Sequence, residues 1–155
     1  MSFSIRSSAF SDGQAIPPRY SRDGGNISPR IEWFDAPPGT RSYLLVVEDP
    51  DAPRGTFRHW AAYNIPARNH ALAEGAGCPS AAIPINMAVN DFGNCWYDGP
   101  QPPPGHGTHH YHFRLAALDV PSLSVPPRAR VEEVWKAAEP HTIAETEMIG
   151  TFKTD

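Results

Sequence analysis

Proline constrains the fold of this chain more than any other residue type. The sequence has 18 prolines and 12 glycines among 155 residues. Proline lacks a backbone donor and fixes φ, so it is excluded from helix interiors and from central strands. Such a chain has room for short strands and ordered turns rather than for long helices. We therefore predict an all-β or mainly β fold, and the length fits one domain over residues 1–155.

Apolar runs between the prolines predict the strands. Residues 43–47 are continuously apolar and rich in strand formers, which is typical of a central strand covered on both faces. From His109 to Leu118 apolar residues alternate, which predicts a strand with His109 on its apolar face and His110 and His112 on the other. Further short strands are expected around Phe3 and Ile5, around Ile31 and Trp33, and over residues 59–65.

Helix is predicted only near the C-terminal end. Apolar residues recur at helical spacing from Val131 to Ala138 and form one amphipathic stripe. Pro140 is expected to end or kink that helix. We expect a second, shorter helix over residues 142–148, and an irregular loop over residues 69–84 because small residues dominate it.

The charge of the chain excludes one broad class of partner. The formal net charge is −4, which does not provide the basic surface that nucleic acids require. No stretch approaches the roughly 20 apolar residues of a membrane span, and residues 1–16 lack the apolar core of a signal peptide. We therefore expect a cytoplasmic protein, although a chain trimmed of its signal peptide would look the same.

The two cysteines, Cys78 and Cys95, leave two possibilities open. A bridge between them would remove about 3 kcal/mol of unfolded-state entropy. Free thiols are the expectation in a reducing cytosol. Zinc sites draw on four ligands with closer spacing, so this pair does not predict a metal.

A first group of polar residues follows the apolar run at 43–47. Asp49 and Asp51 are separated by Pro50 and followed by Pro53, so two carboxylates lie in a loop whose shape is largely preset. This loop is either part of a binding site or a proline-braced turn in which aspartate caps free backbone donors. The residues alone do not decide between these interpretations.

A second group precedes and begins the alternating strand. Residues 105–112 read Gly-His-Gly-Thr-His-His-Tyr-His, which combines close backbone approach at glycine with imidazole and phenol hydrogen-bonding groups. His110 and His112 are also explained as residues of a solvated face, and His106 as part of a mobile loop. A His-x-His pair can hold zinc or copper, but no third ligand stands at a suitable spacing. His59 alone is more typical of a packed histidine.

Signatures of common enzymes are missing from the sequence. There is no Gly-x-Ser-x-Gly nucleophile elbow, no phosphate-binding loop that ends in Lys-Ser or Lys-Thr, and no dinucleotide-binding fingerprint. Asp49 and Asp51 share one rigid loop, which does not suit the opposed carboxylates of a glycosidase. We therefore predict that the protein is not an enzyme and needs no cofactor or metal.

Taken in order, these groups resemble the phosphatidylethanolamine-binding protein family. The similarity is closest to its bacterial and archaeal Raf-kinase-inhibitor-like branch and extends over nearly the whole chain. It is carried by Gly24-Gly25-Asn26-Ile27-Ser28-Pro29, Trp33 with Pro38-Gly39-Thr40, Asp49-Pro50-Asp51-Ala52-Pro53, His59-Trp60, Asn64-Ile65-Pro66, Asn90-Asp91-Phe92-Gly93, Pro102-Pro103, Gly105-His106-Gly107-Thr108-His109-His110-Tyr111, and the ending from Ile143-Ala144 to Phe152.

The resemblance implies an antiparallel β-sandwich of two sheets with short C-terminal helices. It also implies a small pocket for phosphate, phosphoryl head groups or similar oxyanions. In this reading His59 and His109 donate to anion oxygens, Asp49 orients one imidazole, and Tyr111 supplies a hydroxyl. The predicted ligand-binding residues are Asp49, Asp51, Pro53, His59, Pro103, Gly105, His109 and Tyr111.

Three positions depart from the usual family pattern. His110 stands where relatives usually carry arginine, so a weaker charge partner for Asp51 is expected. Gln101 changes one contact at the rim, and Pro140 replaces the usual glycine between the terminal helices. The longer C-terminal helix of eukaryotic relatives has no counterpart in this sequence, so the resemblance implies a more open pocket.

The sequence favours a non-catalytic binding protein for a small anionic ligand with a phosphate-like or carboxylate group. One alternative is a regulatory protein that inhibits a kinase or protease through protein contact, and another is a weak hydrolase using Asp49 with His59 or His109. A homodimer is plausible for this branch but has no sequence signature here.

Overall fold

The computed structural model describes residues 2–81 and 83–155. These residues form eight strands and one α-helix. In chain order they are β1 (Ser4–Arg6), β2 (Ile31–Phe34), β3 (Ser42–Asp49), β4 (Phe57–Pro66), β5 (Ala71–Leu72), β6 (Asn86–Met87), β7 (His109–Leu118), α1 (Val131–Ala138) and β8 (Thr142–Phe152).

The strands form two antiparallel sheets. The smaller sheet has the strand order β1-β2-β5, and the larger has the order β6-β4-β3-β7-β8. Apolar side chains from both sheets meet in one core, where the rings of Trp33 and Tyr43 lie 5.1 Å apart. The two-sheet, mainly β architecture expected from the sequence is confirmed.

Strand β3 lies at the centre of the larger sheet and is almost wholly buried. Leu45 and Val47 face the core between the sheets. Leu44 and Val46 face the other way and pack with Val134 of α1. The continuous apolar run is thus explained because both faces of the strand are covered, as expected.

The C-terminal segment differs from the prediction in one respect. Helix α1 has the expected bounds, and a 3₁₀ turn containing Pro140 follows it over Glu139–His141. The second helix expected over residues 142–148 is wrong, because these residues belong to strand β8. The fold therefore has one short C-terminal α-helix rather than several.

Strand β8 forms because β7 offers it a partner along its whole length. The pairing runs from His109 opposite Phe152 to Leu118 opposite Thr142. Exposure alternates along residues 142–147 with the period of two that a strand requires. Several of its residues are β-branched, which favours strand over helix.

Two smaller sequence predictions also have outcomes. The loop expected over residues 69–84 contains the two-residue strand β5, which pairs with β2. Cys78 and Cys95 are both free thiols in the structure.

In the described ranges, 2–81 and 83–155, no helix has the length and apolar character needed to cross a membrane.

The packing at Gly150 gives a test of this architecture. A Cβ atom at this position would lie 2.5 Å from Cγ1 of Ile16 and 2.7 Å from Cε2 of Phe10. We expect Gly150→Ala to lower the free energy of unfolding by about 1–3 kcal/mol because the core would be overpacked. Urea unfolding measures this change. Thr146→Ala, on the same strand, is the control, and an equal loss in both variants would contradict the described packing.

Candidate functional site

One end of the larger sheet carries a cavity of about 170 Å³. Pockets for drug-sized molecules usually measure about 300–1,000 Å³, so this cavity suits a small chemical group. The residues that line it are Asp49, Ala52, Pro53, Phe57, His59, Phe92, Gln101, Pro102, Pro103, His109 and Tyr111.

Sheet topology explains why distant residues meet here. Strand β3 is antiparallel to both β4 and β7, so the end of β3 lies beside the beginnings of its two neighbours. Asp49 ends β3 and is paired with Phe57, which begins β4. His109 begins β7 and is brought to the same end of the sheet.

The core of the site is a buried hydrogen bond between Asp49 and His109. Nδ1 of His109 lies 2.6 Å from Oδ2 of Asp49, and both residues are almost fully buried. The other oxygen of Asp49 accepts a 2.8 Å hydrogen bond from the backbone N–H of Asp51. Because a carboxylate accepts, Nδ1 of His109 carries a hydrogen, and the imidazole is held in one orientation.

His59 forms the opposite wall and is oriented by a backbone carbonyl. Its Nδ1 donates a 2.8 Å hydrogen bond to the carbonyl oxygen of Asp98. Burial lowers the pKa of His59, although contact with Asp98 and the charge of Asp49 oppose this effect. In the neutral ring Nε2 therefore carries a lone pair.

The loop that supplies this carbonyl is fixed by buried polar contacts. Burial acts to raise the pKa of Asp98, but hydrogen bonds from Asn94, Asn90 and Asn26 outweigh it and hold the pKa below the usual value. The side-chain amide of Asn90 also donates to the backbone carbonyl of His59 at 3.1 Å. One network thus positions both partners of the His59–Asp98 hydrogen bond.

Tyr111 contributes a phenol that stays protonated. Burial raises its pKa above the usual value, and the charge of Asp49 adds to the effect. Its ring packs edge-on against His59, with ring centroids 5.3 Å apart. The hydroxyl therefore remains a hydrogen-bond donor at any physiological pH.

The structure places six of the eight sequence-predicted site residues on the cavity and two outside it. Asp51 turns away because its carboxylate accepts from the backbone N–H of His110 at 2.8 Å and contacts Nδ1 of the same residue at 2.7 Å. His110 thus does provide a partner for Asp51, and its side-chain hydrogen bond lowers the pKa of that carboxyl against the effect of burial. Gly105 has a φ of +75° and lies beyond the cavity lining.

Sequence reasoning missed the aromatic wall of the cavity. Phe57 and Phe92 pack edge-to-face at 4.7 Å, and the guanidinium of Arg22 lies 4.0 Å from the centroid of Phe92. Phe57 stands two residues before His59 on one strand, so period-two spacing places both side chains on the same face. Phe92 lies in a loop and carries no such signal.

Comparisons with known proteins agree with this fold. The family model described as phosphatidylethanolamine-binding protein matches residues 6–153. A UPF0098 protein of Aquifex aeolicus is 43% identical over 151 residues, covering 97% of this chain and 88% of that protein. The crystal structure of Escherichia coli YbcL superimposes with a TM-score of 0.93 at 29% identity, covering 99% of each chain.

A β-sandwich with this matched sequence defines the class: the chain belongs to the phosphatidylethanolamine-binding protein family. Within the family, a further relative is the UPF0098 protein YbhB of Escherichia coli, 36% identical over 149 residues and covering 91% of this chain and 94% of YbhB. The chain thus falls in the bacterial and archaeal UPF0098 branch that includes YbhB and YbcL.

The buried network around Asn90 gives a test of how the site is held. Asn90→Ala would leave several buried groups without partners, among them the carbonyl oxygen of Trp96, to which Asn90 donates at 2.9 Å. We expect a loss of about 2–4 kcal/mol in the free energy of unfolding, measured by urea denaturation. The control is Asn86→Ala at an exposed amide, which should cost about 0.5 kcal/mol or less. Equal losses would show that the network does not hold the loop.

Proposed function

We propose that this protein is a non-catalytic binding protein whose cavity takes a phosphoryl or carboxylate group of a small molecule. One observation supports this most strongly: two buried imidazoles and a protonated phenol converge on a cavity of about 170 Å³. Proline and phenylalanine form much of the remaining wall. Such walls exclude water, which strengthens each hydrogen bond made inside.

The hydrogen-bonding groups of the cavity further define the ligand. Neutral His59 presents a lone pair at Nε2, and Asp49 presents negative charge. A fully deprotonated oxyanion would be repelled by this lone pair and this charge, and the cavity would offer it too few hydrogen-bond donors. We therefore propose that the anion binds together with one proton, which lies between an oxygen of the ligand and Nε2 of His59. Tyr111 would donate a second hydrogen bond.

The cavity lining supports binding rather than turnover. The lining residues that the structure describes include no serine, threonine, cysteine or lysine. Asp49 and His109 form only the orienting half of a catalytic triad, without the side-chain nucleophile that the histidine would activate. The proposal needs no cofactor. A cytoplasmic location and contact with a kinase or protease partner stay predictions.

The non-catalytic assignment is tested by incubation with p-nitrophenyl phosphate and p-nitrophenyl acetate. We expect release of p-nitrophenol at the rate measured in buffer alone, because no side chain is placed to attack the ester. Hydrolysis of either ester that is lost in His109→Ala and kept in His141→Ala would contradict the proposal. It would favour a hydrolase in which the Asp49–His109 pair activates water.

The proton at His59 predicts a pH dependence of anion affinity. Burial places the pKa of His59 below its ordinary value of about 6.5 in the free protein, and a bound anion would raise it. Affinity should thus be highest in acid, fall by up to about tenfold per pH unit between these two pKa values, and level off above them. Sulfate does not titrate in this range, so NMR titration with sulfate at pH 5.5 and 8.0 isolates the contribution of the protein.

His59→Gln provides the matched control for that titration. Glutamine keeps hydrogen-bonding capacity but does not titrate, so the affinity of this variant for sulfate should vary much less with pH. Equal sulfate affinity of the wild-type protein at both pH values would contradict proton-coupled binding. The same steep dependence in His59→Gln would assign the proton to another residue.

A further inference from the structure

His106 makes a contact that the proposed binding role does not use. Its Nδ1 lies 2.5 Å from Nε2 of His109, and the two rings meet edge-on with centroids 4.8 Å apart. His109 is almost fully buried, whereas His106 is exposed on the loop before β7. His106 is not one of the residues that line the cavity.

This contact occupies the second nitrogen of His109. Nδ1 is already committed to Asp49 at 2.6 Å, so both ring nitrogens have protein partners. An imidazole has two hydrogen-bonding sites in the plane of its ring and no third. In the free protein, His109 therefore has no ring nitrogen available to hydrogen-bond with a ligand in the cavity.

The loop that carries His106 has few steric restraints on either side of this residue. Gly105 and Gly107 flank it with φ values of +75° and +88°, and a Cβ atom at either glycine would meet nothing within 4 Å. Open space therefore surrounds the loop on both sides of His106. Two backbone hydrogen bonds hold it, from His106 to Pro103 at 3.1 Å and from Gly105 to Thr154 at 3.3 Å.

We propose that His106 is an intramolecular competitor for the ligand site: it caps Nε2 of His109 in the free protein, and an oxygen of the anionic ligand must displace it to hydrogen-bond with that nitrogen. This inference rests on the proposed function, because the ligand it concerns is the same anion. It assigns to His106 a specificity role, since only a ligand with an oxygen able to replace an imidazole nitrogen at His109 gains from the exchange.

Removal of a residue that contacts the ligand should weaken anion binding. Removal of His106, a competitor of the ligand, should strengthen it. The free protein must break the His106–His109 hydrogen bond before the anion binds, and such a bond contributes about 0.5–1.5 kcal/mol. His106→Ala should therefore raise the affinity for inorganic phosphate, by about two- to twelvefold. His106→Ala leaves the Asp49–His109 bond in place.

The experiment has one part without ligand and one with it. Imidazole ¹H–¹⁵N spectra of ligand-free wild-type protein and His106→Ala report whether Nε2 of His109 changes its environment when the cap is removed. Phosphate affinity of both proteins is then measured by NMR titration at pH 6. His141→Ala is the matched control, because the side chain of His141 is partly exposed, at 41%, and adjoins the opposite end of the β7–β8 pair.

The inference is supported if the Nε2 resonance of His109 shifts in His106→Ala and phosphate binds that variant several-fold more tightly than wild type and His141→Ala. Unchanged or weaker binding by His106→Ala overturns the competition and leaves the proposed function standing. An unchanged Nε2 resonance overturns the cap itself. Absence of phosphate binding in all three proteins overturns the proposed function, and the competition falls with it.

Discussion

The site depends on the buried hydrogen bond between Asp49 and His109. A carboxylate out of water is costly unless its oxygens are paired, and here one oxygen accepts from the imidazole and the other from a backbone N–H. The interaction fixes which nitrogen of His109 carries a hydrogen. It therefore decides that any exchange with a ligand takes place at the other nitrogen, where His106 now lies.

The sheet makes this hydrogen bond possible. Asp49 and His109 are 60 positions apart in sequence, and they meet because β3 is paired with β7 in the centre of the larger sheet. Strand β3 is buried on both faces and hydrogen-bonded to β4 on one side and β7 on the other, which holds it in place. The carboxylate of Asp49, at the end of this strand, is therefore held in place as well. The cavity forms where three strand ends and two loops converge.

Local patterns in the sequence predicted most of the fold, and tertiary pairing explains where they failed. The alternation from His109 to Leu118 and the helical stripe from Val131 to Ala138 have the bounds that the structure shows. Residues 142–148 were wrongly predicted as helix because a short segment with mixed apolar spacing fits either period. The segment is a strand because it pairs with β7 at ten positions. This pairing is a tertiary interaction, so the local sequence does not reveal it.

The site was predicted from resemblance rather than from spacing, and its finer contacts were not predictable. The carbonyl of Asp98 orients His59 from 39 positions away, so only the folded backbone brings the two together. Asp51 looked like a ligand residue because it shares a loop with Asp49, yet its carboxylate is engaged by His110. Two carboxylates close together in the sequence thus have different partners, and only that of Asp49 lies on the cavity.

Calorimetry can show whether the cavity takes an oxyanion together with a proton. Sulfate binding at pH 7 is measured in buffers of different ionisation enthalpy, which gives the number of protons exchanged. If the anion binds with a proton at His59, net uptake should approach one proton per sulfate bound. Sulfate binding with no proton uptake would contradict it.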